Sequence, residues 1–534
     1  MSKNGAMTVG QAFSQSITLM NAGRYAEAKK ICEDIKRVRP LEPDVHNLLG
    51  GLAFKMGHAV EATTHFSRVL ELKPDHNEAR LNLARVLRDL QQWTEAATHF
   101  EHLASTVGNN ADILMDCARV QVKAKQYDDA IRTFEKAIAV HPSADLVQTE
   151  LAEAFLKKGD ITNAEKNYTA ILARTPTYPY ALINLAVVRD IQGRMDEVLV
   201  LQEDAIRADP NNADAHTHHG LALLTRERFT EGWDEYAWRF RRTFTTTLHD
   251  RFDMPYWEGE PLQGRHLLIW TEQGPGDEIL IASMIPNVLA QGAKCTLVCT
   301  ARLASLFRRS FPSVDILLRE HIVAGTAKAP GADFQASLSH LGRSLRQGLP
   351  AFPSEGAYLK ADPELTDHLR SGYQAGADKP LIGISWRSAN PAAESEKSTT
   401  LADWTDLLSI PDLRFVSLQY GHHTPEIEAA KKATGAEIIV DPNVDPLTDL
   451  DRFAAQVAAM DLVISVSNTT VHVAGGLGRP VWTLVPASVG RIWYWFLERT
   501  NSPWYPSMRL FRQNRGAGWT PVLSEVARAL ALWR

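Results

Sequence analysis

The chain has 534 residues, of which 45% are hydrophobic and 22% charged, and its net charge is −6 at pH 7. This length exceeds a single hydrophobic core, so we expect two to four domains. Neither half of the sequence is basic, which argues against nucleic acid or an anionic membrane as the main partner. Because we find neither a signal peptide nor an apolar run long enough to span a membrane, we expect a cytoplasmic protein with no membrane span.

A 34-residue repeat runs through the first part of the chain. Small residues let two helices approach closely, glycine supplies a positive φ in a turn, and proline ends a helix. The small residues are Ala28, Ala62, Ala96, Ala130 and Ala164, and Gly50, Ala84, Ala118, Ala152, Ala186 and Gly220. The turn glycines are Gly23, Gly57, Gly159 and Gly193, and the prolines are Pro40, Pro74, Pro142, Pro176 and Pro210. The pattern predicts stacked helical hairpins and resembles the tetratricopeptide repeat, with six copies over 8–212 and a seventh to 243.

One position on the first helix of each hairpin carries a row of polar side chains. Its members are Asn82, Asp116, Glu150, Asn184 and His218. Side-chain amides and carboxylates in a row could bind the backbone of an extended polypeptide, which would make the solenoid a partner-binding surface. The alternative is that a solvated concave surface is simply polar.

The remaining sequence predicts an α/β domain that follows a connector over 244–264. Short β-branched runs alternate with helical stretches, which is typical of parallel sheets. The predicted strands are His266–Thr271, Thr296–Thr300, Val314–Leu318, Leu381–Trp386, Arg414–Leu418, Glu437–Val440, Leu462–Val466 and Val481–Val485. A looser region over 350–379 divides this half, so we expect two Rossmann-like lobes over 265–375 and 376–534 that face a cleft.

The first strand-to-helix junction places a carboxylate next to glycines. Gly274 and Gly276 permit close approach of a ligand to the backbone, and Asp277 lies at the helix start. The junction lacks the third glycine of the dinucleotide fingerprint, which disfavours a nicotinamide cofactor. Asp277 could act as a general base or could simply cap the helix.

The second junction follows a buried strand with small polar side chains. Asn468, Thr469 and Thr470 lie at a helix start, where backbone N–H groups and hydroxyls can bind a pyrophosphate, and His472 can add a donor. The alternative is plain helix capping by Asn468 or Thr469. Arg387 and Lys397 could supply positive charge for the same anion.

These motifs carry a family resemblance. GPGDEI, GISWR, FVSLQYG, DLVISVSNTTVHVAGGLGRPVWTLVP and SPWYPSMRLFRQ resemble bacterial heptosyltransferase-like glycosyltransferases, in the branch where the transferase follows tetratricopeptide repeats. The layout is also similar to the peptide O-linked N-acetylglucosamine transferases. The resemblance implies a GT-B fold, with an acceptor lobe followed by a lobe that holds a nucleotide-sugar co-substrate. It further implies metal-independent inversion, with no other cofactor.

Position by position, the resemblance makes Asp277 the base and places Thr469, Thr470 and His472 at the pyrophosphate. Heptosyltransferases have an Asp-Thr pair where this chain has Ser467 and Asn468, so the resemblance does not extend to a heptose. Relatives of this layout are implicated in glycosylating flagellin. We therefore expect a transferase whose repeats hold a protein acceptor, with flagellin Ser/Thr hydroxyls as candidates. The alternatives are a transferase with a lipid or oligosaccharide acceptor, and a non-catalytic repeat adaptor with a degenerate transferase domain.

Overall fold

The computed structural model describes residues 8–108, 110–141, 144–242, 248–353, 356–388 and 394–533. Pro142 and residues 243–247 of the predicted linking region lie outside this set. The chain forms two compact units, divided between Val188 and Arg189. None of the helices in the described ranges is long and apolar enough to cross a membrane.

In the described ranges up to residue 236, fourteen helices follow one another in pairs, of which thirteen have 13 or 14 residues and the last has 8. They are α1 (Val9–Asn21), α2 (Tyr25–Val38), α3 (Pro43–Lys55), α4 (Ala59–Leu72), α5 (Asn77–Asp89), α6 (Trp93–Thr106), α7 (Ala111–Lys123), α8 (Tyr127–Val140), α9 (Asp145–Lys158), α10 (Ile161–Arg174), α11 (Pro179–Gln192), α12 (Met195–Ala208), α13 (Ala213–Thr225) and α14 (Phe229–Tyr236). The predicted helical solenoid is confirmed.

The repeated small residues and glycines have a direct steric cause. A Cβ on Gly50 would lie 2.7 Å from the ring of Phe66 in the partner helix, so this position has no room for a side chain. The turn glycines all have positive φ. Where the 34-residue grid lacks glycine, Gln91, Lys125 and Glu227 adopt φ of 60°, 61° and 64°. The hairpin turn therefore imposes a left-handed backbone whichever residue occupies it.

The first α/β lobe is a four-stranded parallel sheet in the order β3-β2-β1-β4. Its strands are β1 (His266–Trp270), β2 (Lys294–Cys299), β3 (Val314–Leu318) and β4 (Phe334–Ala336). Its helices are α15 (Pro275–Ala282), α16 (Ile285–Leu289), α17 (Ala301–Ser310), α18 (Arg319–Val323) and α19 (Leu338–Leu345). Cys295 and Cys299 are buried free thiols in β2.

The second lobe is a six-stranded parallel sheet in the order β10-β9-β8-β5-β6-β7. Its strands are β5 (Leu381–Ser385), β6 (Arg414–Ser417), β7 (Ile438–Ile439), β8 (Leu462–Val466), β9 (Val481–Val485) and β10 (Met508–Arg512). Its helices are α20 (Pro363–Gln374), α21 (Glu394–Lys397), α22 (Thr405–Leu408), α23 (Thr424–Thr434), α24 (Leu450–Ala458), α25 (Thr469–Gly476) and α26 (Thr520–Ala531). This is the doubly wound order, in which ligands bind outside the carboxyl ends of the two central strands, here β5 and β8.

All eight predicted strands are present, with ends that differ by at most two residues. The short strand β4 and the last strand β10 were not predicted, because Phe-Gln-Ala and Met-Arg-Leu-Phe-Arg contain no β-branched residue. The region predicted to be loose contains helix α20, which Asp362 caps by accepting a hydrogen bond from the Leu365 backbone N–H.

The last helical hairpin belongs to the compact unit that contains the α/β lobes. Trp233 of α14 is fully buried and donates a hydrogen bond from Nε1 to the carbonyl of Arg346 at 2.9 Å. A Cβ on Gly342 of α19 would lie 2.5 Å from the Trp233 indole. The predicted domain boundary at 243 therefore differs from the division between compact units, because α13 and α14 pack on the first lobe. The described part of the connector also packs there, since Trp257 donates its backbone N–H to Gln335 of β4.

Candidate functional site

A cleft of about 290 Å³ lies between the two lobes of the second unit. The loop after β1 and the start of α15 form one wall, and the start of α25 and Lys397 form the other. Both walls come from the carboxyl ends of parallel strands, where α/β sheets bind ligands. The predicted residues Gly274, Gly276, Asp277, Lys397, Asn468, Thr469, Thr470 and His472 all line this cleft.

Asp277 is a partly buried carboxylate in the first turn of α15. It accepts a hydrogen bond from the backbone N–H of Gly274 at 3.4 Å. Burial, assisted by the nearby Glu272 carboxylate, raises the pKa of Asp277 to about 6, while the Gly274 N–H, Lys397 and Arg239 oppose the increase. A carboxyl group with this pKa exchanges a proton close to neutral pH, which suits a general base. Its bond to Gly274 is also a capping contact, so both predicted roles are compatible with its position.

Lys397 is a buried cation at the end of α21, with 4% of its surface exposed. Its ammonium group has no hydrogen-bond or ion partner within the part of the chain that the structure describes. Burial lowers the pKa of Lys397, and the Asp277 carboxylate opposes this decrease. A buried ammonium without a partner is costly, and an anionic ligand in the cleft would offset that cost.

The start of α25 lines the same cleft. Asn468 caps this helix by accepting from the backbone N–H of Thr470 at 2.9 Å, and its amide donates to Ser385 Oγ at 2.8 Å. Asn468 therefore joins β5 to β8, and the capping interpretation is confirmed for this residue. Thr469 is half-buried and Thr470 is buried, and both line the cleft. Positive charge at a helix start favours an anion there.

His472 lies between two tyrosine hydroxyls. Its Nδ1 lies 2.7 Å from the hydroxyl of Tyr505, and its Nε2 lies 3.1 Å from the hydroxyl of Tyr494. Burial, together with the positive charge of Lys397, lowers the pKa of His472 to about 3, so the ring is neutral. The prediction that His472 donates directly to an anion needs correction, since both ring nitrogens already have partners. The ring also packs on Gly276, where a Cβ would lie 2.8 Å from His472 Cδ2.

Arg387 does not line the cleft. Its Nε lies 3.3 Å from Glu426 Oε2, and the same carboxylate oxygen accepts from Trp386 Nε1 at 3.1 Å. The main chain of Arg387 is also bonded, because its carbonyl accepts from the Asn468 amide. Glu426 pairs with Nε of the Arg387 guanidinium, and the role of Arg387 in binding an anion stays a prediction.

Arg302 and Tyr494 are among the cleft residues that the sequence analysis missed. Arg302 lies in the first turn of α17, directly after β2, and has no ion partner among the described residues. Its position after the carboxyl end of a parallel strand was the available signal. Tyr494 is buried in a single 3₁₀ turn over Trp493–Trp495 and reaches the cleft through its contact with His472. No local pattern marks Tyr494.

In the first unit, the polar row lies on successive first helices of the hairpins, with Asn82 on α5, Asp116 on α7, Glu150 on α9 and Asn184 on α11. All four are half-buried. Two carboxylates are already paired, Glu150 with Arg119 at 2.7 Å and Asp116 with Arg88 at 3.5 Å. A surface cavity of about 260 Å³ lies beside Glu150. In the second unit, His218 on α13 is half-buried, and burial lowers its pKa.

Two acidic groups resemble metal sites but have other partners. Asp449 caps α24, and Asp451 in its first turn pairs with Arg309, as expected for helix-start acids. In the first unit, ligand atoms of Glu33, Glu61 and His65 lie within 4.8 Å of one another. Lys36 and Lys29 pair with these glutamates at 2.8 and 2.6 Å, so the lysines already neutralise the cluster.

Comparison with known proteins supports the repeats directly. The tetratricopeptide-repeat family model matches residues 116–179 and 149–197, and the model of anaphase-promoting complex (cyclosome) subunit 3 matches 55–137. The chain is similar to Protein FlbA of Caulobacter vibrioides, with 29% identity over 537 residues that cover 96% of this chain and 83% of FlbA. This similarity spans both the repeats and the α/β lobes.

Three solved structures are similar to part of this chain. A tetratricopeptide-repeat protein from Parabacteroides merdae is 14% identical, with TM-score 0.36, over 45% of this chain and 94% of its own. YrrB, described as a TPR protein with an unusual peptide-binding site, is 17% identical, with TM-score 0.30, over 34% of this chain and 95% of its own. MamA from Desulfovibrio magneticus RS-1 is 20% identical, with TM-score 0.29, over 32% of this chain and 99% of its own.

Proposed function

We propose that this protein is an inverting glycosyltransferase that moves a sugar from a nucleotide-sugar donor to a hydroxyl group of a polypeptide bound by the repeats. One observation carries the proposal. A carboxyl group with a pKa of about 6 and a buried lysine without a protein partner among the described residues line the same cleft. The first group suits a base, and the second suits an anionic leaving group. The resemblance of the motifs to heptosyltransferase-like enzymes supplies the reaction class.

The donor's diphosphate would lie against Lys397, Arg302 and the start of α25. These groups supply two positive charges and the positive end of a helix dipole. Such preplaced charges stabilise the negative charge that develops on the departing nucleotide. Because the proposed site uses side-chain cations and a helix start, it requires no metal ion.

Asp277 would act on the acceptor. In its ionised form it takes the proton of the acceptor hydroxyl, whose oxygen forms the new bond to the anomeric carbon. The bond from that carbon to the phosphate oxygen breaks, and the nucleoside diphosphate leaves with the electron pair. Attack from the face opposite the leaving group inverts the anomeric centre.

The repeats would hold the acceptor chain. Helical-hairpin solenoids of this kind offer extended binding surfaces, and the amides of Asn82 and Asn184 have no hydrogen-bond partner within the described ranges. Flagellin is the acceptor that the family resemblance suggests.

A thermal-shift screen of the full-length protein tests the donor site. Ligands that bind only the folded state raise the melting temperature. We expect one class among UDP-, GDP-, ADP- and CMP-sugars to raise the melting temperature, and Lys397→Met to remove most of that increase. Lys379→Met is the matched control, because Lys379 is an exposed lysine of the same lobe that pairs with Asp412. No increase with any nucleotide sugar contradicts the proposal and favours a non-catalytic adaptor.

A further inference from the structure

The segment from Thr271 to Asp277 has a constrained backbone. Thr271 donates from its backbone N–H and its hydroxyl to the Val298 carbonyl, at 3.1 and 2.9 Å. Gln273 adopts a φ of 63°, in the left-handed region that non-glycine residues rarely occupy. A residue held in this region persists only where neighbouring contacts stabilise it.

Those neighbouring contacts come from the end of the last helical hairpin. Arg239, in the 3₁₀ turn that follows α14, forms a two-pronged ion pair with Glu272, whose longer arm joins Nε to Oε2 at 3.3 Å. Both side chains are 5% exposed. Gln273 Nε2 donates to the hydroxyl of Tyr236 at 3.3 Å. Glu272 and Gln273 are therefore held by Arg239 and Tyr236 at the end of the hairpin.

The geometry at Arg239 requires arginine. Its guanidinium lies 4.0 Å from the centre of the Tyr236 ring and 4.2 Å from that of Phe240, while its two-pronged edge faces Glu272. A planar guanidinium can stack on rings and bind a carboxylate through two N–H groups at once, whereas a lysine ammonium cannot. The 3₁₀ turn after the hairpin thus holds a preorganised cation against Glu272, in the segment that leads to Asp277.

The same hairpin contacts the opposite wall of the cleft. The Trp233 ring centre lies 5.3 Å from that of Trp493, and the Tyr236 ring centre lies 6.1 Å from it. Trp493 immediately precedes Tyr494, which lines the cleft beside His472. The hairpin is consequently in contact with both walls of the cleft, through the segment that leads to Asp277 and through Trp493.

We propose that Arg239 is a positioning residue for Asp277, which acts through Glu272 and fixes the strained segment that carries the catalytic carboxylate. The catalytic part of this inference rests on the proposed function. It implies that the last repeat is a working part of the catalytic site as well as the end of the acceptor-binding solenoid.

Electrostatics give this role a distinct signature. The ionisable groups that act on Asp277, or on which it acts, are Glu272, Lys397, Arg239, Tyr236, Tyr494 and Tyr505, and the neutral His472 lines the same cleft. Among them, Glu272 raises the pKa of Asp277 and Arg239 lowers it. Removing the charge of Arg239 or of Glu272 leaves the other charge uncompensated. Loss of Arg239 should therefore raise the pKa of Asp277, and loss of the Glu272 charge should lower it.

Hydrogen–deuterium exchange of the full-length protein tests whether Arg239 and Tyr236 hold the segment 271–277, without any assay of activity. We expect peptides that cover 271–277 to exchange several-fold faster in Arg239→Met than in the wild type. Arg265→Met is the matched control, because Arg265 is an exposed arginine of the same lobe that pairs with Asp333 at 2.8 Å. Tyr236→Phe removes only one hydroxyl, and provides a second test if Arg239→Met unfolds. Unchanged exchange of 271–277 in the folded variants overturns the inference.

The pH dependence of transfer separates this inference from the proposed function. In an active enzyme, we expect the acid limb of kcat/KM to move to higher pH in Arg239→Met and to lower pH in Glu272→Gln, by about one pH unit. If both variants lose stability while the acid limb of kcat/KM stays in place in each, the ion pair between Arg239 and Glu272 is purely structural. That result overturns the inference. If the wild type transfers no sugar from any donor, the proposed function fails, and the exchange measurement alone decides whether the hairpin holds the segment.

Discussion

Lys397 and Asp277 belong to different lobes and act on each other's protonation across the cleft. The ammonium of Lys397 lowers the pKa of Asp277, and the carboxylate of Asp277 raises the pKa of Lys397. Burial acts in the opposite direction on each group and is the larger effect, so Asp277 has a raised pKa and Lys397 a lowered one. An anionic donor bound to Lys397 would therefore change the ionisation of the base, which links donor binding to activation of the acceptor.

The pH profile of transfer should report Asp277. A base must be ionised, so kcat/KM should rise with pH and inflect near the Asp277 pKa of about 6. In Lys397→Met, the loss of a nearby positive charge should move this inflection to higher pH. An inflection that stays in place in this variant would mean that Lys397 does not face the ionising group. The exposed-lysine variant Lys379→Met should keep the wild-type profile.

His472 should make folding sensitive to acid. Its pKa is about 6.5 when unfolded and about 3 when folded, so the unfolded chain gains a proton first as pH falls. The stability that neutral His472 contributes is present above pH 6.5 and is lost as the pH falls from 6.5 towards 3. His472→Phe should destabilise the protein at pH 7 by roughly 1–3 kcal/mol for each tyrosine hydroxyl left unpaired. That difference from wild type should shrink at pH 5.

Urea unfolding at the two pH values checks this behaviour of His472. His368→Phe is the control, because His368 is exposed on α20. The contrary result is a free energy of unfolding that is lower in His472→Phe than in the wild type by the same amount at pH 7 and pH 5. That result would show that the imidazole takes up a proton in the folded state.

Gly342 should be required for packing of the last hairpin on the first lobe. A Cβ at this position would lie 2.5 Å from the Trp233 indole, and both groups are buried. We expect Gly342→Ala to lower the free energy of unfolding by about 1–3 kcal/mol, as overpacked cores do. Gly331→Ala in the same lobe is the control, because its Cβ would meet no atom within 4 Å. Equal melting temperatures for the two variants would contradict the close packing of Gly342 on Trp233.

The polar row should contribute to acceptor binding through its unpaired amides. Replacing Asn82 and Asn184 together by alanine should raise KM for a polypeptide acceptor by about thirtyfold, at roughly 1 kcal/mol for each lost hydrogen bond. The increase in melting temperature with donor should be unchanged, because both residues lie in the repeat unit. Asn21→Ala, at the exposed end of α1, is the control. An unaltered KM in the double variant would support the view that the row is only a solvated surface.

The sequence predicts the fold well where local patterns are strong. The repeat follows from steric requirements such as the lack of room beside Gly50, and the predicted strands follow from β-branched runs. Asp277 and Thr469 could be assigned to one cleft because both follow parallel strands, whose carboxyl ends face ligands. The sequence cannot show which partner a long side chain chooses. Arg387 pairs with Glu426, 39 residues away, and Tyr494 pairs with His472, 22 residues away.

The most direct test of the proposed function compares the wild type with Asp277→Asn in a sugar-transfer assay that follows the mass of a polypeptide acceptor. We expect the wild type to add the sugar of the donor found by thermal shift. We expect Asp277→Asn to transfer about 10²–10⁴-fold more slowly while it keeps the increase in melting temperature with donor, because the amide cannot accept the acceptor's proton. Asp315→Asn, at an exposed position of the same lobe, should transfer at the wild-type rate. Undiminished transfer by Asp277→Asn, or no transfer by the wild type with any nucleotide sugar, would contradict the account.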